Sequence, residues 1–192
     1  MSKRRWDERV IMRYLLVLVL FFSSLYADRD GGPYIGMGYG ISQYDSDGIY
    51  KTLKEDSSMA MSIYGGAYIN KHFSVELGYV DFAFGDGYII DDTKTLEVSL
   101  FSVSTLAHYP VWDDKLDFYL KFGAGQIDYD NGSGFTFVFG IGTAIRFNDY
   151  LSLKFAYDKY SFGYDSTSNG SADNGMNIDY IYSAIEVQFW VD

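Results

Sequence analysis

Cysteine is absent from the 192 residues of this chain, and histidine and proline occur only twice each. A chain without cysteine has no disulfide framework and no thiolate metal site, so backbone pairing and packing must hold the fold. The prolines, Pro33 and Pro110, fall at the ends of strand-like segments, where a missing amide hydrogen does little harm. Only His72, in a predicted turn, and His108, near a strand end, are available as bases, and turn solvation or interfacial anchoring accounts for both more economically than a nucleophile–base pair. Nucleophile–base catalysis therefore has little to build on, and the chain is read as a non-enzyme. Basic residues are also scarce, 15 against 26 acidic, for a net charge of −11. Such a surface repels phosphate backbones, which excludes nucleic-acid binding.

No apolar run is long enough for a membrane-spanning helix, which needs about 20 residues. The run at 14–22 has nine, preceded by Lys3, Arg4, Arg5, Arg9 and Arg13 and followed by Ser23, Ser24, Leu25, Tyr26 and Ala27. That order of basic, apolar and small residues is a secretory signal, removed after residue 27, and Met12 offers an alternative start. Residues 28–192 then form one domain, with no Pro-rich or Ser-rich linker to divide it. Its ten basic and 24 acidic side chains give a net charge of −14.

Aromatics are plentiful: 19 tyrosines and 15 phenylalanines favour strands. Phe135, Phe137, Phe139, Ile141, Thr143, Ile145 and Phe147 alternate with Thr136, Val138, Gly140, Gly142, Ala144 and Arg146. Strand side chains point alternately to opposite faces, so one face here is oily and the other small, polar or charged. Eight such segments are predicted, at 34–44, 58–69, 73–84, 95–109, 116–127, 135–147, 150–162 and 176–191. Short connections at 70–72, 110–115 and 148–149 alternate with longer ones at 45–57, 85–94, 128–134 and 163–175. This predicts an all-β fold, an eight-stranded antiparallel up-and-down transmembrane β-barrel with short periplasmic turns and longer surface loops.

The oily face could instead look inward, as in a soluble lipocalin-like periplasmic barrel that binds a ligand, and both geometries suit eight strands. Three features favour lipid. Glycines crowd the small face at Gly36, Gly38, Gly40, Gly66, Gly78, Gly123, Gly125, Gly140 and Gly142, leaving space beside long charged side chains. The oily face ends in aromatics (Tyr39, Phe73, Tyr79, Phe118, Tyr150, Tyr157 and Phe189), as interfacial girdles do. The export signal and the loop asymmetry agree. Phe118, Leu120, Phe122, Phe137, Phe139, Ile141, Leu153, Phe155, Ile185, Val187 and Phe189 are thus the lipid-facing set.

On these residues the chain resembles the small outer-membrane β-barrel superfamily, the OmpA-type transmembrane domains and the opacity-type porin-like proteins. The resemblance rests on Pro33-Tyr34-Ile35-Gly36-Met37-Gly38-Tyr39-Gly40, on Tyr119-Leu120-Lys121-Phe122-Gly123-Ala124-Gly125 and on Ile185-Glu186-Val187-Gln188-Phe189. It implies a monomer in the outer membrane of a Gram-negative bacterium, in contact with membrane lipid and handled by the barrel-assembly machinery. Members often end on an aromatic residue read by that machinery, whereas here Phe189 and Trp190 are followed by Val191 and Asp192.

A lysine or arginine facing lipid at mid-membrane costs about 2 to 4 kcal/mol, so the charges of these strands belong inside and paired. The predicted lumen network is Glu76, Glu97, Lys121, Arg146, Lys154, Asp158 and Glu186. Glu97 is placed with the fourth strand, whose polarity shifts phase near residues 101–103 in the manner of a bulge. By the resemblance such a network plugs or gates the barrel; the plainer reading is that the pairs fill and solvate the interior. No cofactor or metal is expected. Asp45, Asp47 and Gly48, and Asp128, Asp130, Asn131 and Gly132, have calcium-loop spacing but lack the terminal bidentate glutamate, and such clusters are ordinary turn chemistry. The functions left open are envelope structure or adhesion through the loops, and a narrow channel for ions or small solutes.

Overall fold

Strict alternation of apolar and small or polar residues builds strands whose two faces differ, and the computed structural model shows these strands closed on themselves. It describes residues 31–46, 56–84, 88–91, 94–129, 132–164 and 174–189. The predicted signal segment, 1–27, lies outside them. The barrel wall is β1 (Gly32–Ser46), β2 (Ser57–Asn70), β3 (Phe73–Asp81), β6 (Val98–Val111), β7 (Leu116–Tyr129), β8 (Gly132–Arg146), β9 (Leu151–Tyr164) and β10 (Asn174–Gln188). Between β3 and β6, β4 (Tyr88–Asp91) and β5 (Lys94–Leu96) make a separate two-stranded hairpin.

Each wall strand pairs antiparallel with its neighbours, and β1 pairs with β10 from Tyr34↔Gln188 to Ser46↔Met176 to close the cylinder. Closure leaves no sheet edge, the condition for β-structure to cross a bilayer. Side-chain exposure follows the pleat. Ile35, Met37, Tyr39 and Ile41 of β1 point out, while Tyr34, Gly36, Gly38 and Ser42 point in. On β8, Phe135, Phe137, Phe139 and Ile141 are exposed, and Thr136, Val138 and Ala144 are buried.

Three expectations change. The fourth wall strand, β6, keeps one phase throughout, with no register shift against β3 or β7. Leu100 and Leu106 face inward beside Ser102 and Ser104, so apolar residues occupy both faces and imitate a slip. The segment 95–109 is accordingly not one strand, because residues 94–96 belong to the hairpin and the wall begins at Val98. The predicted loop at 128–134 shrinks to the two residues between Tyr129 and Gly132, as β7 and β8 pair out to Tyr129↔Gly132.

Both chain ends of the barrel and the turns after β2, β6 and β8 lie at one end. The β6–β7 turn carries three consecutive non-glycine residues in the left-handed region, Trp112, Asp113 and Asp114, with φ of 54°, 55° and 62°. Each costs roughly 1 to 2 kcal/mol relative to the right-handed conformation, least for aspartate. Asp113→Gly should therefore raise the urea midpoint of the refolded barrel by the equivalent of about 1 kcal/mol; an unchanged or lower midpoint would show the turn to be unstrained. Tyr109, Trp112, Phe147, Tyr150 and Phe189 are exposed around this end, and Tyr39, Tyr79, Phe84 and Phe135 nearer the other, as two aromatic girdles.

The lumen as candidate functional site

The interior has two tiers. In the loop-side half most of the inward side chains are apolar: Phe82, Val98, Leu100, Ile127, Val138, Phe162 and Ile178 belong to one buried cluster, with Ser42, Ser58 and Thr136 among the polar exceptions. The β4–β5 hairpin closes it from above, with Tyr88 and Leu96 both buried. Tyr88 donates to Ser42 Oγ at 2.8 Å and its ring centre is 5.5 Å from that of Tyr44. Burial pushes the Tyr88 hydroxyl pKa well up, so it remains a donor at any physiological pH. The predicted surface loop 85–94 thus turns part of itself into a stopper.

Beneath this plug lies a charged floor. Lys121 of β7 donates to Glu76 Oε1 of β3 at 2.9 Å and to Asp158 Oδ2 of β9 at 3.0 Å. Lys154 of β9 pairs with Glu186 of β10 and lies 3.9 Å from Glu76 Oε2. Both lysines and all three carboxylates are buried. Buried ions persist only if further hydrogen bonds replace water, and tyrosines supply them here. Tyr34 donates to Glu76 (3.3 Å), Tyr68 to Glu186 (3.1 Å), and Tyr182 and Tyr160 to Asp158 (3.1 and 3.3 Å). The Lys154 ammonium also lies 4.9 to 5.3 Å from the ring centres of Tyr64, Tyr34 and Tyr119.

Inward glycines make the room these groups need. A Cβ on Gly140 would sit 2.1 Å from Asp158 Oδ1, and one on Gly36 would lie 2.2 Å from the Tyr64 ring. At Gly36 the space is taken by an aromatic ring, where the sequence suggests a charged chain. What remains free between Glu76, Lys121, Asp158 and Tyr182 is about 10 Å³, roughly the room one water needs.

Of the seven predicted network residues, Glu76, Lys121, Lys154, Asp158 and Glu186 meet in this floor. Arg146 faces inward but stands half-buried at the short-turn rim, its guanidinium 5.4 Å from the Tyr68 ring centre. Glu97 does not join. It precedes β6 in outward phase, is exposed, and lines an outer groove of about 400 Å³ with Asp81 and Asp128. The predicted lipid-facing residues all point outward; Leu153 and Val187 are half-covered and the others exposed. Of the two Asp-rich segments, Asp45, Asp128 and Gly132 lie in strands, whereas Asp47, Gly48, Asp130 and Asn131 lie outside the described residues. Among the described residues no group of three or more metal-binding side chains converges.

The sequence misses a second cluster at the short-turn end. His108 Nδ1 is 2.6 Å from Asp117 Oδ2 and its Nε2 is 2.9 Å from Ser74 Oγ, all three residues being buried. The order is that of a nucleophilic triad. Ser74 is fully buried, and the Tyr34 hydroxyl lies 3.4 Å from its Oγ. The signal was present: Asp117 shares phase with Tyr119 and Lys121, and Ser74 with Glu76.

The family profile described as outer membrane protein beta-barrel domain matches residues 14–187. No curated protein matches the sequence. Among solved structures, Neisserial surface protein A superposes with a TM-score of 0.63 at 12% identity, over 82% of this chain and 97% of that one. Ail, the attachment invasion locus protein of Yersinia pestis, gives 0.56 at 13% identity, over 83% and 99%. Ail in complex with the heparin analogue sucrose octasulfate gives 0.51 at 12% identity, over 82% and 99%.

Proposed function

The chain belongs to the outer membrane protein β-barrel domain family, a Gram-negative outer-membrane barrel, and from that premise we propose that it is a sealed anchor whose work is surface interaction and envelope structure rather than solute passage or catalysis. The observation that carries this reading is the double closure of the lumen. An apolar plug under a tucked hairpin sits on a floor in which every formal charge is paired or hydrogen-bonded. A narrow channel would have to break buried ion pairs and eject Tyr88 before an ion could move.

Surface contact would fall to the segments 44–56, 86–93, 128–133 and 164–174, most of whose residues lie outside the described ones. Their sequences hold eleven acidic side chains against two basic ones. Ail has been seen with a sulfated sugar analogue; segments this acidic repel such a polyanion and suit a cationic or neutral partner. The barrel works as a monomer in contact with outer-membrane lipid, inserted by the assembly machinery.

The refolded protein in planar bilayers should give a closed baseline. Stable single-channel steps would overturn the sealed-anchor reading in favour of the channel.

A further inference from the structure

The charged side chains that face the lumen do not balance by themselves. Among the described residues the inward carboxylates are Glu76, Asp117, Asp158 and Glu186, and the inward permanent cations are Lys121, Lys154 and Arg146. Four negative charges meet three positive ones, and among the described residues His108 is the remaining group able to supply the fourth. Histidine is also the side chain whose ordinary charge change falls at about pH 5 to 8.

His108 stands at the periplasmic end of a continuous chain of polar contacts. From Asp117 it runs through His108 to Ser74 (2.9 Å), from Ser74 to Tyr34 (3.4 Å), from Tyr34 to Glu76 (3.3 Å) and from Glu76 to Lys121 (2.9 Å). The elements around His108 bring the following groups. Asp117 and Tyr119 come from β7, Tyr68 from β2, with its ring centre at 5.1 Å, and Ser74 and Glu76 from β3. Tyr34 of β1, Lys154 of β9 and Glu186 of β10 follow through Tyr34 and Tyr68, and Arg146 of β8 faces the same Tyr68 ring. The His72 ring in the β2–β3 turn reaches the His108 carbonyl oxygen, at 3.3 Å from its Nδ1, and the His72 carbonyl accepts the His108 backbone N–H at 2.8 Å.

We propose that His108 is a proton-binding site at the periplasmic mouth, and that the proton it takes tightens the barrel floor by setting the direction of the hydrogen bonds between Ser74 and Glu76. With neutral His108, Nδ1–H donates to Asp117 and Nε2 accepts from the Ser74 hydroxyl. On protonation Nε2–H donates instead to Ser74 Oγ. The Ser74 hydrogen then turns to the Tyr34 oxygen, and the Tyr34 hydrogen is left to Glu76 alone. The proton comes from periplasmic water and no bond other than these hydrogen bonds changes. The uptake completes the luminal charge balance, converts the His108–Asp117 contact into an ion pair and fixes the carboxylate that Lys121 holds.

The test uses the intact barrel refolded in phosphatidylcholine vesicles, its unfolding in urea followed by the folded and unfolded gel bands at about pH 5.5 and 8.5, on either side of histidine's ordinary range. Wild type should unfold on the order of tenfold more slowly at the lower pH, as a hydrogen bond gained to a charged group implies. His72→Gln should keep that difference, because its ring lies outside the chain; His108→Gln should lose it, and Ser74→Ala should reduce it, because the His108–Asp117 pair remains while the link to Tyr34 and Glu76 is cut. A pH difference that survives in His108→Gln, or one that is absent from wild type, overturns the proposal. Should His108→Gln fail to fold, ring nitrogen NMR of the wild-type barrel decides the matter: a His108 that stays in one protonation state over that range overturns it, and one that changes state with loss of the Ser74 hydrogen bond acceptor supports it.

Discussion

Lys154→Met should be the most damaging single change in the interior, lowering stability by about 3 to 5 kcal/mol, the usual loss when one partner of a buried ion pair is removed. The Lys154 ammonium holds Glu186 directly, approaches Glu76, and sits among the faces of Tyr34, Tyr64 and Tyr119. Methionine keeps the volume and the contact with the rings but leaves Glu186 with only the hydroxyls of Tyr68 and Ser152. The urea midpoint of the refolded barrel measures the loss. Adding Glu186→Gln to Lys154→Met should recover a large part of it, because the stranded charge, rather than the missing contact, is the main penalty. Lys159→Met is the comparison: Lys159 and Asp179 are 3.7 Å apart on the outer face, 41% and 33% exposed, so its removal should cost less than about 1 kcal/mol. Equal losses at 154 and 159 would mean the floor is wet and the lumen open.

On the outer face the largest effect is expected at Ile141→Arg. Ile141 stands on β8 between Leu120 of β7 and Tyr157 of β9, midway along the exposed series from Phe135 to Phe147. An arginine there meets hydrocarbon at a cost of about 2 to 4 kcal/mol. Its amount in the outer-membrane fraction as the heat-modifiable folded form should fall sharply. Phe139→Arg should do less harm, although Phe139 is exposed too, because its register partner on β9 is Lys159, an outer-face charge paired with Asp179. Full tolerance at both positions would mean that the oily face does not meet lipid.

The wall was legible because eight segments repeat one physical rule, and charge decides which face is inside once the oily face is turned to lipid. Glu76, Lys121, Lys154, Asp158 and Glu186 follow from phase alone. The plug is less legible, since Leu100, Ile127, Val138 and Ile178 are apolar on the face where small and polar residues set the expectation. On β6, with Phe101 and Val103 outside and Leu100 inside, period-two polarity vanishes. The hairpin leaves a fainter trace, as strands of four and three residues are too short for a period. Its signal was Tyr88 and Leu96, apolar residues beside a loop rich in aspartate and glycine. Ser74, His108 and Asp117 were missed for another reason: hydrogen bonds between strands depend on register, and single-strand phase does not give register.

The seam between the first and last strands bears on the order of events when the barrel forms. Tyr34 and Gln188 are 154 positions apart, and Tyr68 meets Glu186 across 118. Joining chain segments so remote carries the largest loop-closure entropy in the molecule, so those contacts are made late. The ion pair of Glu186 with Lys154 binds the last strand to β9, and its bond from Tyr68 binds it to β2 on the far side of the seam. They therefore act as a latch on the closed cylinder. Weakening them should leave the rate of insertion nearly unchanged and accelerate unfolding instead, so the charged floor governs how long a barrel lasts once made.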